Sequence, residues 1–280
     1  MCAPPASNPT EPRRAEPSRS PAMSLLEIKT VQASTFKQVI DALKEILMDV
    51  NLAFDETGMK IIALDNTSHV LVHLKLNAES FETYTCERKL YVGINMLKLH
   101  MLIKTVSNKD VLTLFVDADD PNHLGIRIEN PTKNLRTTYK LAMLDIDIVS
   151  IGIPPAEFET VITMPSADFQ KIIRDMFNLS PTIEISQVES QINFSCTGDF
   201  CTQQTIIGAD KNQTIQINKI GQRDHEIVQG VFSLKYLSLF TRCTSLSSLV
   251  EIMLKNNYPL VLQYAVANLG SIRFGLADNY

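Results

Sequence analysis

Histidine, cysteine and acidic side chains that fall close together are the first candidates for chemistry in this sequence. His69 and His73 share one face of a predicted strand, and Asp65 or Cys86 could add a third group. No third ligand has the spacing of a known metal site, and the sequence holds no H-E-x-x-H, G-x-S-x-G or Walker motif. We therefore predict that the protein is not an enzyme and binds no metal or other cofactor.

Composition limits the class of protein. The chain has 280 residues, of which 45% are hydrophobic, so it can form a large core without disulfides. Its five cysteines, an odd number at irregular spacing, indicate a reducing compartment. The formal net charge of −5 argues against a protein that coats nucleic acid with a basic surface, and no apolar run is long enough to span a membrane.

Residues 1–22 differ from the rest of the chain. They contain six of its 13 prolines but no leucine, isoleucine, valine or aromatic residue. Because the segment has no side chain able to join a core, we predict that it is disordered and dispensable. It also lacks the apolar region of a signal peptide.

Apolar residues recur at helical spacing in four places, at 34–47, 95–106, 166–179 and 233–243. Each segment begins with Ser or Asn, whose side-chain oxygen can accept a free backbone N–H, so we predict four capped helices. The remaining chain has the short β-branched runs and turn residues of strands. Examples are 60–64, 70–76, 111–116, 125–129, 136–144, 182–185, 191–196, 214–220, 249–254 and 260–266.

The order of these elements repeats along the chain. A strand, a helix and then several strands occur four times, twice on each side of residue 150. Residues 34–43 also align with 167–176 when Phe36 is placed on Phe169. An internal repeat of this kind predicts an α+β protein made of two similar domains.

Residues 141–155, L-A-M-L-D-I-D-I-V-S-I-G-I-P-P, join the two predicted domains. Their alternating apolar and acidic residues indicate an extended chain with one face partly buried, and Pro154 and Pro155 exclude a helix. The isoleucines must either pack across the two halves of the protein or be presented to a partner. The predicted boundaries are a tail at 1–22, a first domain at 23–144, a connector at 145–153 and a second domain at 154–280.

Positive charge is concentrated on the four predicted helices. Their charged residues give a net charge of +4, which leaves −9 for the rest of the chain. The bases are Lys37, Lys44, Lys98, Lys104, Lys171, Arg174, Lys235 and Arg242. If the helices line one surface, that surface suits a phosphate backbone contacted without base readout. Four separately solvated helix faces are the alternative.

From residue 23 to residue 280 the sequence resembles the eukaryotic sliding clamp family, proliferating cell nuclear antigen. The resemblance is carried by 36–45, 65–70, 81–86, 144–154, 164–166, 174–175, 235–240, 246–248 and 259–261. It implies two similar clamp domains per chain and three chains that close head to tail into a ring, with helices inside and sheets outside. The edges that meet between chains would be about 124–129 and 202–208.

The resemblance implies a processivity factor that encircles duplex DNA and tethers replication and repair enzymes, in the nucleus or at a site of viral DNA replication. The eight helix bases would face DNA. A DNA polymerase, the clamp loader, and flap-endonuclease and ligase-type clients would bind beside the connector through Q-x-x-hydrophobic-x-x-aromatic-aromatic peptides. By resemblance, the pocket for these peptides is lined by Leu64, His69, Val70, Leu71, Ile151, Ile153, Pro259 and Ala277.

Several positions depart from the family pattern. Residues 66–68 place three residues, where the family usually has two, between the Asp and the His of the first-domain loop. Gly275 stands where the family commonly has an aromatic residue and Asp278 where it has proline, which predicts a bulkier plug and basic flanks in bound peptides. Glu189 aligns with the family's ubiquitin-acceptor lysine and cannot form an isopeptide bond.

Two other interpretations stay open at this point. The chain could be a checkpoint-clamp subunit or a monomeric processivity factor, which a native mass measurement would distinguish from a homotrimer. It could also be a β-rich protein-interaction scaffold that never encloses DNA. A scaffold of that kind would not increase the run length of a polymerase.

Overall fold

The computed structural model describes residues 24–149, 151–152, 157–208, 214–219 and 228–278, so the predicted tail at 1–22 lies outside the described residues. Within these ranges it contains eighteen strands and four α-helices. The strands are β1 Ser24–Thr30, β2 Asp49–Asp55, β3 Gly58–Leu64, β4 Val70–Asn77, β5 Thr83–Cys86, β6 Leu90–Asn95, β7 Val111–Asp117, β8 His123–Asn130, β9 Leu135–Ala142, β10 Thr160–Pro165, β11 Thr182–Val188, β12 Gln191–Thr197, β13 Thr202–Gly208, β14 Gln216–Lys219, β15 Val228–Ser233, β16 Leu249–Leu254, β17 Leu260–Val266 and β18 Gly270–Leu276. The helices are α1 Ala33–Leu43, α2 Met96–Ile103, α3 Ser166–Phe177 and α4 Leu234–Phe240.

The four helices form where the apolar spacing predicts them. Each begins within one residue of its predicted start, and α4 continues as a 3-10 turn at Thr241–Ser245. In α1 the apolar side is fully buried because Phe36, Val39 and Ile40 recur every three or four positions. Short helices of this kind owe their stability mainly to such packing rather than to intrinsic propensity.

The predicted helix caps are present at only one of the four starts. The Asn95 side chain accepts the N–H of Lys98 at 3.0 Å and so caps α2. The prediction is wrong for the three serine starts, which make no such bond. Ser166 lies inside α3 and donates its hydroxyl to the carbonyl of Ser247, so its oxygen serves a tertiary contact instead.

The element order confirms the predicted α+β repeat. A strand, a helix and several strands occur twice in residues 24–149, here called the N-terminal half, and twice in residues 157–278, the C-terminal half. Every strand segment predicted from the sequence contains an observed strand. The two halves therefore share one plan, as the internal sequence similarity predicts.

Three antiparallel sheets organise the strands. Their orders are β5-β1-β7-β8-β9, β14-β10-β16-β17-β18-β4-β3-β2-β6 and β13-β12-β11-β15. The nine-stranded sheet crosses between the halves where β18 pairs with β4, from Gly270 opposite Leu76 to Leu276 opposite Val70. Because this pairing is continuous, the two halves share one sheet as well as the connector.

The sheet edges differ in part from the prediction. The strand β13 is an edge, as expected, because it pairs only with β12. The expectation that 124–129 forms the other edge is wrong, since β8 pairs with β7 on one side and with β9 on the other. The open edge of that sheet is β9, and its side chains alternate between exposed and half-buried.

The connector begins as an extended strap on the N-terminal half. The N–H of Leu144 donates to the carbonyl of Gly93 at 2.8 Å, and Asn51 Nδ2 donates to the carbonyl of Ile146 at 3.0 Å. A Cβ at Gly93 would lie 2.1 Å from the Leu144 oxygen, so only glycine permits this approach. Ile146 and Ile151 are half-buried and Ile148 is exposed, so the connector both packs on the sheet and presents apolar surface.

Candidate functional site: an apolar pocket and a basic helix row

A cavity of about 610 Å³ opens on the outer side of the nine-stranded sheet, where β4 and β18 join the two halves. Its size is within the range of small-molecule and peptide-anchor pockets. Side chains from both halves line it, and most of its wall is apolar. The lining residues are Leu64, Ser68, His69, Leu71, His73, Phe158, Met253, Tyr258, Pro259, Val261, Arg273, Gly275 and Ala277.

The loop that forms one wall of the pocket is organised by a buried carboxylate. Asp65 Oδ1 accepts the backbone N–H groups of His69 at 2.8 Å and Val70 at 2.9 Å. Its Oδ2 accepts the N–H of Thr67 at 3.2 Å and also that residue's hydroxyl. Burial acts to raise the pKa of the Asp65 carboxyl, but these hydrogen bonds outweigh it and lower the pKa. The charged carboxylate thus fixes the loop.

The same loop contacts helix α4 of the other half. The Thr67 hydroxyl lies 2.7 Å from the Tyr236 hydroxyl, which also donates to Asp65 Oδ2 at 3.3 Å. The His69 ring stacks on the Tyr236 ring at 6.4 Å between centroids. These contacts fix the pocket wall relative to the C-terminal half, so the pocket is formed by this chain alone.

The floor of the pocket is open at one position. A Cβ built on Gly275 would lie 3.6 Å from the Leu71 side chain, which is ordinary van der Waals contact. Glycine there leaves space rather than relieving a clash. The opposite wall is aromatic, with Phe158 and Tyr258 in an edge-to-face pair at 5.8 Å. Asp278 accepts the N–H of Val231 at 3.0 Å, so one of its oxygens is already used.

Five of the eight predicted pocket residues line this cavity: Leu64, His69, Leu71, Pro259 and Ala277. Val70 does not, because it is fully buried in the core while its neighbour Leu71 faces outward. Ile151 lines a neighbouring groove of about 460 Å³ beneath the connector, and Ile153 lies outside the described residues.

The helices of both halves form one row. Helix α1 packs against α2, α3 packs against α4, and α1 also contacts the 3-10 turn after α4. Arg242 in that turn lies 3.5 Å from Glu45 beside α1, which joins the halves by an ion pair. The row therefore carries all eight predicted bases on neighbouring elements.

The eight bases are not equally free. Lys44 pairs with Asp41 at 2.5 Å, and His100 lies 3.0 Å from the same carboxylate. The hydrogen bond from Lys44 is the main cause that lowers the pKa of Asp41. Lys37 donates to the carbonyl of Val106 at 3.3 Å. By contrast, Lys98, Lys104, Lys171 and Lys235 are exposed, and Arg174 only approaches Asp175 at 4.0 Å.

Two family models match this chain. The N-terminal domain of proliferating cell nuclear antigen matches residues 25–150, and its C-terminal domain matches residues 152–279. The chain belongs to the proliferating cell nuclear antigen family. The resemblance inferred from the sequence and the predicted fold class are therefore confirmed.

Relatives in this family are similar over almost their full length. A probable DNA polymerase sliding clamp 1 of Paramecium bursaria Chlorella virus 1 is 39% identical over 257 residues, which are 90% of this chain and 96% of that protein. Proliferating cell nuclear antigen of Chaetomium thermophilum is 34% identical over 253 residues, which are 90% of this chain and 97% of that protein. The chain is thus a sliding clamp and not an enzyme.

The structure separates the residues first considered for chemistry. His69 and His73 both line the pocket, but the Asp65 carboxylate is occupied by loop hydrogen bonds. Cys86 lies in another sheet and donates its thiol to the carbonyl of Arg88 at 3.0 Å. The described residues bring together no metal-ligating group of three, and none of their helices is long and apolar enough to cross a membrane.

Sequence reasoning missed several residues of the pocket. His73, Met253 and Val261 line the pocket from predicted strands. The alternation of apolar residues predicts these strands, but the surface that each side chain joins depends on which strands pair. Tyr236 lies within the predicted helix at 233–243, but helical spacing does not show that its hydroxyl contacts the Asp65 loop. Glu189 lies in the β11–β12 turn with a φ of 49°, and its carbonyl accepts a bond from Gln187.

Proposed function

We propose that three copies of this chain close into a ring around duplex DNA and hold replication and repair enzymes on it. The observation that carries the proposal is the single row of helices from both halves, with eight bases on a chain whose net charge is −5. The open edges β9 and β13 offer unpaired backbone groups for strand addition between copies. Such a ring retains DNA by enclosure, so its phosphate contacts need only be weak.

The helix row is proposed to face DNA through its free bases. Lys98, Lys171 and Lys235 are exposed and have no acidic partner within 4.0 Å among the described residues. Lys44 and Arg242 are already paired and would act mainly in holding the row together. Contact with phosphate alone would be independent of sequence and would weaken with salt.

The apolar pocket is proposed to anchor clients that carry a Q-x-x-hydrophobic-x-x-aromatic-aromatic segment. A preformed cavity with an open floor at Gly275 fits a large apolar plug. DNA polymerase, the clamp loader, and flap-endonuclease and ligase-type enzymes are the proposed clients. The protein would act where DNA is replicated, in the nucleus or at a site of viral replication.

The first test changes the free bases of the helix row. Lys98, Lys171 and Lys235 are replaced together by glutamine, and a control variant carries Lys29→Gln, Lys133→Gln and Lys219→Gln elsewhere. We expect weaker, less salt-dependent DNA association and lower polymerase stimulation only in the first variant, with native trimer mass retained in both. Equal DNA association of the two variants would remove the helix row from its proposed role.

Native mass and run length separate the proposal from its alternatives. A mass of three chains supports the closed ring, and a mass of one chain supports a monomeric processivity factor. A protein that assembles but leaves polymerase run length unchanged on circular primed DNA would be an interaction scaffold.

The second test places a charge in the pocket. Val261→Glu adds a carboxylate to the cavity lining, and Ala265→Glu adds the same group to an exposed position of the same strand outside the cavity. We expect Val261→Glu to weaken a client peptide by about tenfold or more and the control to have little effect, because a carboxylate in the lining loses its water when an apolar anchor binds. Equal affinities by calorimetry would contradict the pocket assignment.

A further inference from the structure

A cluster of basic side chains lies next to the pocket on the outer face of the nine-stranded sheet. It consists of Lys60 on β3, His73 and Lys75 on β4, and Arg273 on β18, and is called the outer basic cluster below. Lys60 stands directly opposite Lys75, and His73 directly opposite Arg273. Side chains directly opposite each other on antiparallel strands are about 5 Å apart at Cβ, so the four groups share one surface.

The charges of this cluster are only partly balanced. Lys60 pairs with Asp55 at 2.8 Å. The Nε–H of Arg273 donates to the amide oxygen of Gln263, which is a neutral group. The amide nitrogen of Gln263 in turn donates to the Glu251 carboxylate at 2.7 Å, so this hydrogen bond of Arg273 is not made to a carboxylate. Lys75 is exposed and has no acidic partner within 4.0 Å among the described residues. Like charges directly opposite each other destabilise a sheet, and an added anion would relieve that repulsion.

The cluster is continuous with the apolar pocket. His73 and Arg273 line the pocket and also line a second depression of about 620 Å³ on the far side. Lys75, Asn77, Asn268 and Ser271 add further polar groups to the lining of that depression. A chain segment that fills the pocket can therefore continue directly over the basic groups.

We propose that the outer basic cluster binds a carboxylate-bearing segment of the same client peptide whose apolar plug fills the pocket. The inference rests on the proposed client role of the pocket and adds a charge requirement to it. Arg273 and Lys75 would donate charge-assisted hydrogen bonds to the carboxylates. We therefore expect bound peptides to prefer acidic residues beside the apolar plug. This preference is opposite in charge to the basic flanking residues that are predicted from Asp278 alone.

The half-buried His73 would report such binding. Burial is the largest cause that lowers its pKa, and the charges of Arg273, Lys60 and Lys75 add to it. Among the described residues, Arg273, Lys60 and Lys75 are the charged groups that act on this ring, and they lie on its own strand and the adjoining strands. A bound carboxylate opposes their potential and raises the pKa of His73. Binding should therefore take up a proton and strengthen as the pH falls toward 6.

The experiment compares client-type peptides that differ only beside the plug. One set carries three glutamates on the N-terminal or the C-terminal side, and the matched set carries three glutamines. We expect one glutamate peptide to bind wild type about fivefold more tightly than its glutamine partner, as two exposed ion pairs would allow, with the difference lost at high salt. Arg273→Gln with Lys75→Gln should remove the difference, whereas Lys133→Gln with Lys219→Gln, the same charge change elsewhere, should keep it.

Each outcome decides one claim. Equal affinities of glutamate and glutamine peptides, or a preference that survives the Arg273 and Lys75 substitutions, would refute the outer basic cluster while leaving the pocket intact. Failure of every peptide to bind would refute the pocket itself. Proton uptake at pH 6 that disappears in His73→Gln supports the assigned part of His73, and uptake unchanged in that variant removes His73 from the site.

Discussion

In the N-terminal half, the carboxylates of Asp55, Asp65, Asp110 and Asp120 close turns and loops between strands, whereas in the C-terminal half pairs of phenylalanine rings join helices to strands. Five carboxyl groups with lowered pKa, Asp41, Asp55, Asp65, Asp110 and Asp120, all lie in the N-terminal half. In the C-terminal half, Phe169 pairs with Phe194 at 6.2 Å and Phe240 stacks on Phe274 at 4.5 Å.

This difference shows that one repeated plan does not require one kind of stabilising contact. Apolar spacing alone specifies the helices and strands of both halves. The carboxylate hydrogen bonds of the N-terminal half involve charged groups, so they depend on pH and salt, whereas pairs of phenylalanine rings do not titrate. The pocket wall built on Asp65 accordingly belongs to the half whose loops are fixed by charge.

The largest expected effect concerns the open edges of the two halves. Proline at Ile206 on β13 or at Thr138 on β9 removes a backbone N–H and obstructs strand addition, so we expect the proposed trimer to dissociate. Thr85→Pro on β5 is the control, since β5 is also an edge strand but lies outside the proposed interface. Native mass spectrometry measures the result. If all three variants keep the wild-type mass, neither edge forms the interface.

The next effect compares equivalent core positions in the repeat. Phe36 and Phe169 align in sequence, and both are buried in their helices. Each change to alanine should lower the free energy of unfolding by about 3–5 kcal/mol. The loss should be about 0.5–1.5 kcal/mol greater for Phe169, because only this ring has an aromatic partner among the described residues. Urea titrations that give equal losses would contradict the aromatic account of the C-terminal half.

An acid titration tests the carboxylate account of the N-terminal half. Burial acts to raise the pKa of Asp55, but hydrogen bonds from Lys60 and Thr57 lower it to about 2. A group whose folded pKa is lowered stabilises the protein above its unfolded pKa, and that stability is lost as the pH falls toward 2. Asp55→Asn should cost about 1 kcal/mol at pH 7 after allowance for solvent screening, and only a small fraction of that at pH 2, where half of the folded-state carboxyl groups are protonated. A constant difference across this range would show that charge is not the cause.

The smallest expected effect compares two equivalent helix starts. Asn95→Ala should destabilise the protein by about 1 kcal/mol, because it removes the side-chain cap of α2. Ser233→Ala at the corresponding start of α4 should change stability by less than about 0.5 kcal/mol, since that serine makes no cap bond. Thermal unfolding of both variants measures the contrast, and a larger loss in Ser233→Ala would reverse it.

The sequence by itself determined the elements and their repetition. Helical spacing located α1 to α4 within one residue of their starts, and the order of elements predicted the duplicated α+β fold. These features depend on residues close together in the chain, so a periodic pattern specifies them. The connector and part of the pocket wall were predicted from the resemblance to family motifs, which are also short stretches of sequence.

Only the tertiary structure decided which strand is an edge and which side chain faces the pocket. Whether β8 or β9 forms the edge of its sheet depends on the pairing of β8 with β9, which no short sequence pattern predicts. Val70 and Leu71 are adjacent and both apolar, yet one lies in the core and the other lines the pocket, because strand register sets the facing. The bonds of Tyr236 to the Asp65 loop and the juxtaposition of Lys60, Lys75 and Arg273 likewise join residues distant in the chain, and only the folded sheet brings them together.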